Sequence, residues 1–185
     1  MQTVGQKDAK YIDDMLSFAK DTWFEPAGVI FDKYHSIDHR VNKVEATQLP
    51  RNASAILLHG GYLNNLRNFL LEYEMVDAIK ESRANVIMGA SAGGMNMGAN
   101  FVDDHVEPFV LHEGLGLDNM AFIPHSKKSV EELMADEETQ EYLKYMPSNL
   151  DVYAGCEESI LRIESDNIAV VGDVFLISNG KIQKL

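Results

Sequence analysis

Apolar residues along this chain come in two rhythms. Short unbroken runs of three or four alternate with longer stretches at 3.6-residue spacing, and that alternation predicts βαβ construction. Tyr11, Met15, Phe18 and Ala19 share one helical face, so a helix is expected over residues 7–22. Gly28-Val29-Ile30-Phe31 reads as a short strand. The stretch from His35 to Asn52 is polar, carries Pro50 near its end and offers no clear element. Ala55-Ile56-Leu57-Leu58 reads as a buried strand running into the turn His59-Gly60-Gly61. Leu66, Phe69, Leu70, Tyr73, Val76 and Ile79 predict one helix over residues 66–79. Val86-Ile87-Met88 is a second buried strand, followed by Gly89-Ala90-Ser91-Ala92-Gly93-Gly94. Residues 92–99 are rich in small residues and Met and predict a helix packed closely on a sheet. Met120-Ala121-Phe122-Ile123 is a further strand ending at Pro124-His125, and residues 129–145 read as an acidic surface helix.

The last third changes character. Residues 152–154, 160–163, 168–171 and 174–177 read as short strands, divided by the turn formers Ser165-Asp166-Asn167, Gly172-Asp173 and Ser178-Asn179-Gly180. The economical architecture is an α/β fold with a mostly parallel sheet that finishes in an antiparallel meander. With 185 residues the chain suits a single domain, residues 1–185.

Composition narrows the function. A formal charge of −13 repels phosphate backbones and anionic lipid, which argues against nucleic-acid and membrane-surface partners. The one cysteine, Cys156, allows no intramolecular disulfide and suits a reducing compartment. Residues 1–20 mix Lys and Asp with scattered apolar positions, unlike a signal or transit peptide, and no apolar run approaches the ~20 residues of a membrane span. The expected compartment is the cytoplasm.

The chemistry centres on Gly89-Ala90-Ser91-Ala92-Gly93, a G-x-S-x-G pattern lying between a buried strand and a helix, where a nucleophile elbow belongs. A sharp strand-to-helix turn leaves no room for side chains beside the nucleophile, hence the flanking glycines. It lifts the serine hydroxyl clear of the backbone and aims the Ala92 amide at a developing oxyanion. The competing reading is a tight turn whose serine merely caps the helix. Gly60-Gly61 ends the preceding strand, and parallel neighbours bring such turns to one edge, so the Gly61 amide is the candidate second donor. His59 reads as a packing or orienting residue. Serine needs a base, and His125, leaving a strand at that same edge, is the candidate. His105 and His112 read as surface residues. Glu157 and Glu158 follow the strand at 152–154, and one of them is expected to orient the imidazole. Adjacent residues face opposite ways, and the sequence does not choose between them.

Taken together, the turn at Ile56–Gly61, Gly89–Gly94, Gly114-Leu115-Gly116-Leu117, Ile123-Pro124-His125 and Gly155-Cys156-Glu157-Glu158 resemble peptidase family S51, the dipeptidase E and cyanophycinase group. The likeness runs from about Ala53 to the C-terminus. It implies a three-layer fold similar to class I glutamine amidotransferases, with serine in place of their cysteine. It implies Ser91 as nucleophile, His125 as base, Glu158 as acidic partner by motif position, and Gly61 and Ala92 as oxyanion donors. The implied reaction is hydrolysis of a peptide bond next to an aspartyl residue through an acyl-enzyme, with Asp-Xaa dipeptides favoured over β-aspartyl-arginine units. No metal or organic cofactor is implied, and the expected partner is a small peptide, with the chain a monomer or homodimer. Two departures stand out. The family begins with a strand ahead of the first helix, for which about six residues remain here, so that strand is expected to be missing. His59-Gly60-Gly61-Tyr62 stands where the family has three glycines followed by Asn-Thr, which alters the substrate contacts of that loop. Lys127 and Lys128 are candidate binders of a substrate carboxylate, although exposed lysines are ordinarily just solvated.

Two rivals remain. An α/β-hydrolase esterase shares the glycine motifs, but its histidine comes last in the chain after the acid, and no histidine follows His125. A non-catalytic binding or regulatory protein on the same scaffold is the other, since a fold alone does not specify activity.

Overall fold

The computed structural model describes residues 9–103, 105–106, 108–164 and 167–185. The leading strand expected to be missing concerns residues 1–8, which lie outside the described residues. The chain forms two compact units, one built from the residues up to Ser54 together with Asn68–Ala84, the other from Ala55–Arg67 and Asn85–Leu185.

The first unit is helical. Helix α1 (Ala9–Phe18) runs on into a π-helical turn, Ala19–Phe24, that closes with the Glu25 N–H donating to Lys20 O. The strand expected at Gly28–Phe31 does not form. Gly28 turns the chain at φ +76, Ile30 is 80% exposed, and Phe31 packs edge-on against Phe24 and Tyr34 instead of joining a sheet. A short apolar run makes a strand only if a neighbour supplies hydrogen bonds. Helix α2 (Lys43–Asn52) arises in the polar stretch that offered no element. The Asn42 side chain caps it by accepting from Glu45 N–H at 2.9 Å, and Pro50 falls in its last turn, where a missing N–H costs a single bond.

Helices α3 (Leu63–Glu72) and α4 (Met75–Lys80) replace the single helix expected at 66–79. Glu74 sits at φ +56, ψ 33, a left-handed residue that ends the first helix and starts the second. Ala46, Ala78 and Ile79 are fully buried where α2 and α4 pack, and Phe69 stacks on Tyr73 at 4.4 Å. Arg40 donates to the buried Asp38 at 2.6–2.9 Å and to Asp13, and these hydrogen bonds hold both carboxyls below their ordinary range.

The second unit is α/β. Strand β1 (Ala55–Leu58) pairs in parallel with β2 (Val86–Gly89), and α5 (Ala92–Met97) follows β2 directly. Strand β3 (Asn100–Asp103) pairs antiparallel with β4 (Val110–Glu113), two strands inside a stretch that reads as polar connection. Strand β5 (Met120–Ile123) lies parallel to β6 (Asp151–Gly155). The expected helix at 129–145 is two, α6 (Val130–Ala135) and α7 (Glu137–Tyr145), because Asp136 leaves helical geometry to cap α7. The chain ends in β7 (Ile160–Glu164), β8 (Asn167–Val171), β9 (Val174–Ser178) and β10 (Lys181–Lys184).

These strands do not make one mostly parallel sheet. Parallel pairing is confined to β1–β2 and β5–β6 among the described residues, and the sheet order β10-β9-β6-β5 is mixed. The C-terminal strands do not form a single meander either, since β7–β8 and β9–β10 are hairpins in separate sheets. The Asn179-Gly180 turn makes β9 and β10 antiparallel neighbours, whereas Gly172-Asp173 joins β8 and β9 without pairing them; parallel neighbours need the α crossovers found earlier in the chain. The core gathers Phe101, Val102, Ala121, Leu133, Ala154 and Phe175, all at most 1% exposed. Each large member stabilises the unit by roughly 1.5–3 kcal/mol relative to exposure. That packing fixes β5, β6 and α5 on which the candidate chemistry stands.

Candidate active site

Parallel registry sets the stage. Leu58 lies opposite Gly89, and the Ala90 N–H donates to Leu58 O at 3.0 Å, so the chain leaves both strands at one edge. Residues 60–61 leave β1 there, and residues 90–91 leave β2. Ser91 occupies φ +51, ψ −117, a sparsely populated backbone region that costs about 1–3 kcal/mol to hold. Glycine makes this turn possible. A Cβ on Gly93 would lie 2.0 Å from Leu58 O, and one on Gly89 would lie 2.5 Å from Gly94 N. Helix α5 therefore starts in backbone contact with the end of β1, a closeness that side chains would forbid.

The Ser91 hydroxyl does not cap α5. It lies 2.9 Å from His125 Nε2 instead, within hydrogen-bond reach of a base. His125 leaves β5 after Pro124, at φ +56. The next residue is anchored, with Ser126 N–H donating to Gly155 O at 2.9 Å. His125 Nδ1 is 2.6 Å from Glu157 Oε1, completing a serine–histidine–carboxylate chain. For the Nδ1 hydrogen bond to an ionised carboxylate, that nitrogen carries the proton and Nε2 is left to accept from Ser91. Side-chain exposure is 58% for His125 and 70% for Glu157, so water reaches the outer half of this chain.

Glu158, the acidic partner that the resemblance implies, is not the carboxylate bonded to His125. Glu157 is. Glu158 stands at φ +60, and this left-handed step sends consecutive side chains in directions that simple strand alternation does not describe.

The two oxyanion candidates stand on different turns. The Ala92 N–H opens α5, where the first amides have no intrahelical acceptor. A Cβ on Gly60 would lie 3.1 Å from Ala90 O and 3.2 Å from the Ser91 Cβ, which sets the Gly60-Gly61 turn against the serine; Gly61 itself is at φ +136. His59 Nδ1 lies 3.0 Å from Gly60 O, an orienting contact within the turn. His105 is exposed and edges the Tyr62 ring, whereas His112, on β4, is half-buried against Phe101, and burial pushes its pKa down. Lys127 Nζ pairs with Asp136 at 3.1 Å. Among the described residues no three His, Cys, Asp or Glu are grouped as metal ligands would be. No described helix is long and apolar enough to cross a membrane.

Two groups escaped the sequence reading. Asn96, 1% exposed on α5, donates to Ala92 O at 2.9 Å and to Leu63 O at 3.4 Å, joining the nucleophile helix to the segment after the glycine turn. Asn64 donates to the buried Asp103, whose other oxygen accepts the His105 N–H at 3.1 Å. The available signal was polarity in the wrong place: an Asn among small apolar residues on a buried helix must find partners.

Comparison with known proteins bears on the fold and the family. The fold is shared with the crystal structure of a peptidase from an acI-B1 Actinobacterium, at a TM-score of 0.73 and 21% identity, over 98% of this chain and 76% of that one. A candidate peptidase E from Listeria monocytogenes EGD-e superposes at a TM-score of 0.59 and 18% identity, over 80% of this chain and 73% of the other. No curated protein gives a significant sequence match. The profile of peptidase family S51 matches residues 3–171, nearly the whole chain, and the chain belongs to that family.

Proposed function

We propose that this protein is a serine peptidase that hydrolyses small peptides next to an aspartyl residue. The observation that carries the reading is the continuous hydrogen-bond path Ser91 Oγ–His125–Glu157, with links of 2.9 and 2.6 Å. In the forward step Ser91 Oγ attacks the acyl carbon while His125 Nε2 takes its proton. The oxyanion is held by the Ala92 and Gly61 amides. His125 then gives that proton to the leaving amine, which departs as the carbonyl re-forms. Water attacks the acyl-enzyme by the same route, with Nε2 again as base, and releases the acid and Ser91. Glu157 accepts the Nδ1 hydrogen bond, holds the ring in place and offsets the imidazolium charge.

The aspartyl preference rests on family membership alone, and a cytoplasmic setting without cofactor belongs to the same reading. The test is hydrolysis of Asp-Xaa, β-Asp-Xaa and neutral dipeptides, with Ser91→Ala as control. Cleavage of Asp-Xaa members alone, lost in the mutant, is the expected result. Cleavage that survives Ser91→Ala would overturn the mechanism, and equal rates on all dipeptides would overturn the specificity. A folded protein that neither cleaves nor reacts with a fluorophosphonate would favour the non-catalytic alternative.

A further inference from the structure

The loop bearing Glu157 is held from two sides. On one side, the His125 loop grips it through Ser126 N–H to Gly155 O at 2.9 Å and through the buried Cys156, whose thiol donates to Lys127 O at 2.9 Å. Burial pushes the Cys156 pKa up, so the sulfur keeps the proton it donates. On the other side lies the turn between β8 and β9. Asp173 O accepts the Cys156 N–H at 2.9 Å. Gly172, at φ +74, presses so closely that a Cβ there would lie 2.9 Å from Glu158 O and 3.1 Å from Ser159 Cα. Within the loop, Ser159 closes the turn by donating to Cys156 O at 2.6 Å. Glu157 itself projects into solvent, with no further hydrogen bond besides that to His125 among those described to fix it. The aim of its carboxylate is set by its backbone.

We infer that Gly172 is a positioning residue for the reaction proposed above: the close seat it gives the 156–159 loop keeps Glu157 on His125 Nδ1. The inference rests on the serine-peptidase reading for its effect on rate, but its structural half stands without it. A side chain at 172 forces the backbone of Glu158 and Ser159 outward by several tenths of an ångström. Adjacent Glu157 then leaves a hydrogen bond that is only 2.6 Å long.

The test compares Gly172→Ala with Gly180→Ala. Gly180 also has positive φ, at +71, but a Cβ there meets nothing within 4 Å. Both substitutions put a Cβ on left-handed backbone, and only the first crowds the loop. Long-range 1H–15N correlation of the His125 ring reads which nitrogen carries the proton, whether or not any substrate is known. The expected result is loss of the Nδ1–H tautomer in Gly172→Ala and its retention in Gly180→Ala. With Asp-Xaa dipeptides, kcat falls about tenfold in Gly172→Ala while KM holds. Should Gly172→Ala not fold, Gly172→Asn adds the same Cβ while tolerating positive φ. An unchanged tautomer at position 172, or the same change at position 180, overturns the inference. A wild-type protein with the expected tautomers but no hydrolysis and no fluorophosphonate labelling refutes the peptidase reading alone.

Discussion

Replacing Glu157 by Gln removes a charge and keeps the shape. The amide oxygen of Gln can still accept from His125 Nδ1–H, so the ring keeps its tautomer and the loss is the carboxylate's attraction for the imidazolium. Two unit charges about 4 Å apart attract by ~1 kcal/mol in bulk water and ~4 kcal/mol at the effective dielectric of a protein surface. With 70% of the Glu157 side chain exposed, the screened end applies, roughly 1–2 kcal/mol. At 1.36 kcal/mol per decade, Glu157→Gln slows the acylation step about 5- to 30-fold. That is far less than the ~10⁴-fold loss in a buried triad whose Asp becomes Asn and whose imidazole then takes the wrong tautomer. Glu157→Ala also frees the ring to turn and costs more than Gln. The assay is the second-order rate of Ser91 labelling by a fluorophosphonate, confirmed on an Asp-Xaa dipeptide, with Glu158→Gln as comparison. Glu158→Gln should fall within twofold of wild type. If Glu158→Gln is the damaging change and Glu157→Gln is silent, the reasoning from the hydrogen bond is wrong.

Other outcomes follow from groups around the site. Asn96→Ala strips a buried donor from Ala92 O and Leu63 O and should lower stability by about 1–3 kcal/mol in urea denaturation; a change under about 0.5 kcal/mol would mean these bonds contribute nothing. Cys156, buried and with its pKa raised, should react with a disulfide reagent only as fast as the protein opens, and rapid stoichiometric reaction in native buffer contradicts the thiol contact. Asp38 and Asp136 both have carboxyls held below the ordinary 3.8, the first by Arg40 and the second by Thr139. The unfolded chain binds protons first, so their stabilisation is complete above about pH 4 and is lost as acid takes the pH down through the lowered folded values. Asp38→Asn should flatten the acid limb of the urea midpoint against pH, and an unaltered limb would show that the Arg40 pairing is energetically idle.

What could be read from the sequence had a local cause. The β1 and β2 strands, the glycine-flanked Ser91 and the exit of His125 from β5 all follow from runs, spacing and turn residues within a few positions of each other. The helix breaks were harder. Periodicity passes unbroken through Glu74 and Asp136; Asp is a favoured helix cap, but nothing in a Glu announces the left-handed step at 74. The strand expected at Gly28–Phe31 lacked a partner, and partnership is a long-range property. Strands β3 and β4 show the converse: polar faces hid the pattern until each found the other across the Asp103–Val110 pair. The choice between Glu157 and Glu158 lay beyond any pattern, because it depends on one left-handed residue and on where a turn 14 residues further along, at Gly172, presses the backbone.

The positive-φ residues of the site bear on how such a chain drifts over generations. Ser91 and His125 hold conformations that glycine adopts with far less strain, and so does Glu158 beside the acid. Replacing Ser91 or His125 by Gly should therefore raise the melting temperature while removing the chemistry, a trade in which each position gives up about 1 kcal/mol or more of stability for its side chain. A lineage released from catalysis would meet a downhill path at both positions, toward Gly or Asn, and nothing in the packing would block it. This chain has not taken that path. It keeps a serine and a histidine on strained backbone, their side chains meeting at 2.9 Å.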